Sequence, residues 1–323
     1  MHILVVKTSS LGDLVHMLPA LSDAAKVIPG LQVDWVAEES FAAVPAWHPA
    51  VGRVIPVAIR RWRKSLLSKA TWRELGAART VLRETNYAAV IDSQGLLKSA
   101  VLARLARGEH WGYDRHSIRE PLAALTYNWR AGVPRDLHAI ERNRRLLAAA
   151  LGYGMEDLPL DYGLAGLTER ISIPPIEMPL SFVLALHGTS RVDKEWSESN
   201  WITVGHALAQ HGRSLLLPWG NVREKERAER IAAAVPTAQV LPRLGLDELA
   251  VIIARADAVL GVDTGLMHVA AALRKPGLAL FPATLPALTG VRSEPDAPQI
   301  ASLTPQDDLS AEAVVERLQA VLA

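Results

Sequence analysis

Short apolar runs alternate with amphipathic stretches along the whole chain. The first run, HILVV (His2–Val6), is too short for a helix and suits a buried parallel strand. From Leu14 to Val27 the apolar positions recur at helical spacing until Pro29-Gly30 stops them. VDWVA (Val33–Ala37), RVIPV (Arg53–Val57) and AAVID (Ala88–Asp92) predict further strands, with helices near Thr71–Thr85, Leu96–Arg107 and His138–Leu151. The rhythm breaks around Leu164–Ser181, where ISIPPIEMP places three prolines in nine residues and continues neither a helix nor a central strand. It then restarts with SFVLALH (Ser181–His187), a helix over Ser197–His211, SLLLP (Ser214–Pro218), a helix over Arg223–Val235 and AQVL (Ala238–Leu241). A helix over Leu246–Arg255, AVLGV (Ala258–Val262), a helix over Leu266–Leu273, GLALF (Gly277–Phe281) and a last helix near Leu309–Leu322 follow.

Such alternation predicts an α/β protein of two doubly wound, Rossmann-like domains facing a central cleft. The expected division is 1–165, a linker over 166–180, and 181–323, with the last helix placed so that it can pack back on the first domain. No tandem repeat of 20–50 residues interrupts this pattern.

Composition supports two sizeable cores, since 323 residues carry 50% hydrophobic and 21% charged side chains. Cysteine is absent, which removes disulfides, thiolate metal sites and cysteine nucleophiles together and is compatible with a reducing cytoplasm. The apolar part of the N-terminus is too short for a signal-peptide core, and no uninterrupted apolar stretch reaches the ~18 residues of a transmembrane helix. Peripheral membrane contact stays open. The net charge of +1 conceals an asymmetry: residues 1–160 hold 21 Lys and Arg against 15 Asp and Glu, and the remainder holds 14 against 19. The first half therefore suits an anionic partner, although chance accounts for the imbalance equally well.

Chemistry concentrates where strands run into helices. In Lys7-Thr8-Ser9-Ser10-Leu11-Gly12-Asp13, the loop after the first strand, Gly12 permits close backbone approach by a ligand. Asp13 is either a general base toward a substrate hydroxyl or a helix cap. In Val262-Asp263-Thr264-Gly265-Leu266-Met267-His268 the amides of Thr264 and Gly265, at the positive end of a helix, suit a pyrophosphate, with Asp263 and His268 suited to a sugar and a phosphate. The alternative there is a capped helix with a core histidine. Along His187-Gly188-Thr189-Ser190-Arg191-Val192-Asp193-Lys194, Lys194 can neutralise a diphosphate leaving group, assisted by the Thr189 and Ser190 hydroxyls, or be a solvated lysine. Arg60-Arg61-Trp62-Arg63-Lys64 suits phosphates and carboxylates, its tryptophan suits a membrane interface or a sugar face, and a solvated charge run is the competing reading.

Other classes lack their signals. No GxxxxGK[ST] loop, no GxGxxG after the first strand, no GxSxG elbow and no HExxH motif occurs, and the ten histidines have no ligand spacing. Neither a protein-held metal nor a cofactor is expected, and no nucleic-acid-binding signature accompanies the basic run.

KTSSLGDLVHMLPAL, VIPVAIRRWRK, IDSQGLLKSA, REPLA, DKEW, LPWG and VDTGLMH, in this order along nearly the whole chain, resemble the lipopolysaccharide heptosyltransferases of glycosyltransferase family 9. The RRWRK context resembles the members that add the first heptose rather than the second. The resemblance implies a GT-B fold and inverting transfer of L-glycero-D-manno-heptose from ADP-heptose to the inner Kdo of Kdo2-lipid A, by a cytoplasmic enzyme peripheral on the inner membrane. It implies Asp13 as general base and Lys194 as the cation facing the leaving group. Around the donor it implies Ser10, Gly12, Thr189, Ser190, Glu224 at the ribose, Leu244 beside adenine, Asp263, Thr264, Gly265 and His268. On the acceptor side it implies Arg60, Arg63, Lys64, Arg119 and His138 as cationic positions.

The chain departs from the family pattern at Ser190, where Thr is expected, and at Val192, where Asp is common. Phe281-Pro282-Ala283-Thr284-Leu285-Pro286 replaces a loop of the Gly-Pro-Thr-Asp-Pro kind, and Leu285 supplies no carboxylate. Alternatives within the enzyme class are the second heptosyltransferase, another transferase of the family, or a sugar-nucleotide epimerase. Outside it stands a non-catalytic binder of anionic lipid or RNA.

Overall fold

The computed structural model describes residues 1–65, 67–172, 177–189 and 191–323. They divide into two compact units, Met1–Leu164 and Ala165–Ala323. In the first, β1 (His2–Val6), β2 (Gln32–Glu38), β3 (Val51–Val57), β4 (Asn86–Asp92), β5 (Arg107–Tyr113) and β6 (Trp129–Ala131) form a sheet ordered β3-β2-β1-β4-β5-β6. In the second, β7 (Phe182–Leu186), β8 (Ser214–Leu217), β9 (Ala238–Val240), β10 (Ala258–Val262), β11 (Gly277–Leu280) and β12 (Ile300–Leu303) are ordered β12-β11-β10-β7-β8-β9. Every pairing is parallel.

Read outward from its first strand, each sheet has the same winding. The chain fills one side with two strands, then crosses the first strand to build the other side. Each unit therefore has one switch point, between β1 and β4 and between β7 and β10, and ligands of such sheets bind outside the carboxyl ends of the strands there.

Helices cover both faces, so the central strands are apolar without alternation: β7 and β10 are buried at every residue. Around the second sheet, Trp196, Trp201, Val204, Leu208 and Ile231 complete the core. The stretch expected as one helix over Leu14–Val27 is two, Leu11–Val15 and Leu18–Val27, because Pro19 lacks an N–H and is accommodated in the first turn of the second.

The stretch read as a linker, 166–180, carries the short helix Leu167–Arg170, which packs against the helix Leu246–Arg255 and so belongs to the second unit. Residues 173–176 of that stretch lie outside the described residues. The last helix, Ala311–Leu322, packs on Glu198–Gln210 and on β10 and β11 of its own unit, burying Val314 and Leu318 in that core. Its apolar stripe is thus used within the second unit.

Candidate active site

At the switch point of the first sheet, the loop after β1 is held by the loop after β4. The amides of Thr8 and Ser9 donate to Gln94 Oε1 at 3.0 and 3.2 Å. Gln94 is fixed in turn by Asp92, whose carboxylate accepts from the amides of Gln94 and Gly95 and from the hydroxyls of Ser99 and Tyr127. Burial pushes the Asp92 carboxyl above the ordinary range, against these donors. Gly95 makes the turn possible, since its φ of +67° disfavours any side chain.

Asp13 sits half-buried in the short helix Leu11–Val15. Its Oδ2 accepts from Ser10 N at 2.7 Å and from Ser10 Oγ at 3.0 Å, so Asp13 satisfies the N-cap residue's amide and hydroxyl together. Both bonds fall on one oxygen, which leaves Oδ1 for a substrate hydroxyl. Gly12 is buried beside it. Lys7 lies behind this loop, fully enclosed, with Nζ donating to Ser93 O at 2.9 Å and Asn143 Oδ1 at 3.4 Å. Burial lowers its pKa, Asp13 and Asp92 oppose that shift, and the nearby charges of Arg142 and Arg119 reinforce it.

The expected acceptor cations divide into two groups. Arg60, Arg63, Lys64 and Arg119 are exposed, Arg60 lying over the Phe41 ring at 5.1 Å while its amide donates to Glu38 Oε1. Arg60 and Lys64 line an open depression of about 450 Å³ with Glu38, Glu39, Ser40 and Arg61. His138 is different: it is 4% exposed, caps the helix Ala139–Leu151, and its Nδ1 accepts the Ile140 N–H at 3.2 Å. In this structure its ring is a buried helix cap. Trp62 also departs from the expected membrane or sugar contact, for it is 6% exposed within the core and donates to Glu74 Oε2 at 2.7 Å. Arg61 is already ion-paired with Glu39 and Glu74.

In the second unit, residues from the loops after β7, β10 and β11 meet at the switch point. Lys194 Nζ contacts Asp263 Oδ2 at 2.6 Å, Thr189 Oγ1 donates to Asp263 O at 3.1 Å, and Thr284 Oγ1 donates to Asp263 Oδ2 at 2.8 Å. Thr264 is the N-cap of the helix Gly265–Ala272, so the amides of its first turn open beside Asp263. Lys194 is well anchored. Its neighbour Glu195 pairs with Arg223 and Arg227, and Trp196 packs edge-on against Trp201 while donating to Leu309 O at 2.9 Å.

Glu224 approaches from the first turn of the helix Val222–Ala234, which follows β8. A Cβ at Gly188 would lie 2.8 Å from Glu224 Cδ, so the glutamate side chain packs directly over the Gly188 backbone. Glu224 Oε2 accepts from Gly220 N at 2.7 Å, leaving its other oxygen available. Leu244 is half-buried in the loop leading to the helix Leu246–Arg255, and His268 is 6% exposed on the helix Gly265–Ala272. His187 is buried, its Nε2 donates to Pro218 O, and burial with the Arg227 charge holds its pKa down to about 4. Ser190 lies outside the described residues.

Residues 75–316 match the profile of glycosyltransferase family 9 (heptosyltransferase). The chain is 49% identical to lipopolysaccharide heptosyltransferase 1 of Pseudomonas aeruginosa over 294 residues, 90% of this chain and 81% of that protein. The chain belongs to glycosyltransferase family 9. Its fold matches the Escherichia coli heptosyltransferase WaaC with ADP at a TM-score of 0.91 and 42% identity, covering 99% of this chain and 100% of that one. The same enzyme with ADP-2-deoxy-2-fluoro heptose matches at 0.88 and 42%, covering 99% of each chain. This family member is accordingly a glycosyltransferase of the GT-B fold.

Against the family pattern, Leu285 is 76% exposed and the loop after β11 engages Asp263 through Thr284 instead. Thr284, Gln94 and Lys7 join the candidate site, with no role assigned to them from the sequence although their loops drew attention there. Their only signal was position, just after a buried strand. Thr284→Val removes one donor from Asp263, and a lost hydrogen bond to a charged group costs about 1.5–3 kcal/mol. The donor KM of this variant is expected to rise roughly tenfold or more, with Thr284→Ser near native, in steady-state assays of the two.

Proposed function

We propose that this family 9 enzyme transfers L-glycero-D-manno-heptose from ADP-heptose to the inner Kdo of Kdo2-lipid A in lipopolysaccharide core assembly, with inversion at the anomeric carbon. The observation that carries the reading is the convergence of Lys194, Thr189 and Asp263 beside a helix N-terminus at the switch point of the second sheet. That arrangement suits a diphosphate ester: amides and a cation for the phosphates, a carboxylate for sugar hydroxyls. Glu224, with one oxygen available, suits the ribose, and Leu244 the adenine face.

The acceptor hydroxyl attacks the anomeric carbon of the donor in one displacement. Asp13 Oδ1 accepts the hydroxyl proton as the new glycosidic bond forms, and the bond to the β-phosphate oxygen breaks. ADP departs with its developing charge met by Lys194 and the amides of the helix Gly265–Ala272. In the structure the Lys194 ammonium is ion-paired with Asp263, so it meets the donor phosphates by exchanging one anion for another while Thr284 keeps Asp263 in place.

For the acceptor, Arg60, Arg63 and Lys64 supply exposed charge for Kdo carboxylates and lipid A phosphates at a membrane surface, with Arg119 nearer the Asp13 loop. Each cation near an anionic surface contributes about 1 kcal/mol, so replacing Arg60, Arg63 and Lys64 together by alanine removes up to ~3 kcal/mol. The acceptor KM is expected to rise by roughly up to 10²-fold and its salt dependence to flatten, with the donor KM nearly constant. An acceptor KM that is unchanged at low and moderate salt contradicts this placement of the acceptor.

A further inference from the structure

We infer that the flank of the first unit beside β5 and β6 is a docking surface for an anionic lipid bilayer. The helix Leu97–Leu105 and the 3-10 turn Pro121–Thr126 pack against each other, and both leave large apolar side chains in solvent. Leu122, Leu125 and Val101 are 63%, 74% and 61% exposed, Trp129 at the edge strand is 54% exposed, and Leu97 is 43% exposed. Trp129 stacks on Trp111 at 5.8 Å, which stiffens it as a projecting aromatic. Scattered exposed leucines need no explanation, but five large apolar groups on two packed elements and the adjoining strand do.

The surrounding charge selects the occupant. Between residues 97 and 130 there are six Lys and Arg against three Asp and Glu. All three acids are engaged internally: Glu120 accepts from Leu97 N, Glu109 from Trp129 Nε1, and Asp114 from Ser117 and His116. Lys98, Arg104, Arg119 and Arg130 thus border the apolar side chains as a net cationic rim. Leucines for insertion, a tryptophan at headgroup depth and a basic border together fit an anionic membrane interface better than a protein surface.

Its place in the fold ties it to catalysis. Leu97 follows directly on the turn whose Gln94 holds the Asp13 loop, and Glu120 N donates to Gly95 O at 3.1 Å, fixing the start of the 3-10 turn to the same place. An enzyme seated on this flank has its Asp13 loop close to the bilayer surface, where a lipid-anchored sugar stands. This inference rests on the proposed lipid acceptor for its purpose but not for its test.

The test is flotation of the full chain with vesicles of phosphatidylglycerol and phosphatidylethanolamine, compared with neutral phosphatidylcholine vesicles. The native chain is expected to float with the anionic vesicles. The variant combining Leu122→Ser, Leu125→Ser and Trp129→Ser is expected to lose at least about tenfold in partition, because two leucines and a tryptophan no longer leave water. Trp129→Ser gives up the stack on Trp111 and the bond to Glu109, so the melting temperature falls slightly, while turnover of an acyl-free acceptor stays native. Flotation of the variant equal to native, or no flotation of the native chain, overturns the inference. So does a native chain that self-associates through this face, with the variant monomeric and flotation unaltered. Loss of transfer to the acyl-free acceptor by the native chain would instead count against the heptosyl-transfer reading and leave the flotation result standing.

Discussion

Replacing Asp13 by alanine is expected to lower turnover by roughly 10²–10⁴-fold, the usual contribution of a positioned general base, while ADP affinity stays near native. Alanine also removes the capping bonds to Ser10, at a cost of about 0.5–2 kcal/mol in stability. Asp13→Asn separates the two roles: its amide oxygen still accepts from Ser10, so the cap survives, but it takes up no proton at neutral pH. The account predicts that Asp13→Asn melts like the native enzyme and is nearly as inactive as Asp13→Ala. Normal turnover per folded molecule in the asparagine variant, measured alongside calorimetric melting, would reduce Asp13 to a helix cap.

Loss of the Lys194 ammonium carries the second large effect. Removing one preorganised group that stabilises developing charge typically costs about 10²–10³-fold in kcat, and Lys194→Ala is expected in that range. Asp263 retains the Thr284 hydroxyl when the lysine is gone, so the site is not left with a wholly unpaired carboxylate and the unit remains folded. The diagnostic quantity is the split between constants. If Lys194 meets charge that develops only as ADP leaves, kcat falls further than donor KM rises. A variant whose donor KM rises with kcat unaltered would make Lys194 a ground-state anchor only.

How legible these features were depended on what kind of signal each residue leaves. Strands β1, β7 and β10 are buried on both faces, so their uninterrupted apolar runs were readable, and the polar loops that follow them drew attention to Asp13, Lys194 and Asp263. Strand β5, RGEHWGY, was not, because its glycines and charges break both apolar continuity and alternation, and β6 and β12 are short edge strands of three and four residues. Trp62 and His138 are ambiguous in the sequence because both residue types serve equally as ligands and as buried, hydrogen-bonded structure, and only the structure shows that both are buried. Gln94 and Thr284 are neutral loop residues whose importance lies entirely in what they face, 85 and 21 residues away in sequence. No local pattern encodes such a pairing.

The proposed reaction is one transfer event, with heptose as the group moved. The most direct measurement is mass spectrometry of purified chain incubated with ADP-heptose and Kdo2-lipid A, with ADP quantified in the same samples. The account predicts acceptor gaining a single heptose, one ADP released per heptose gained, and neither product in the Asp13→Asn variant. Heptose-free acceptor after complete incubation, or ADP released equally without any acceptor present, would contradict it.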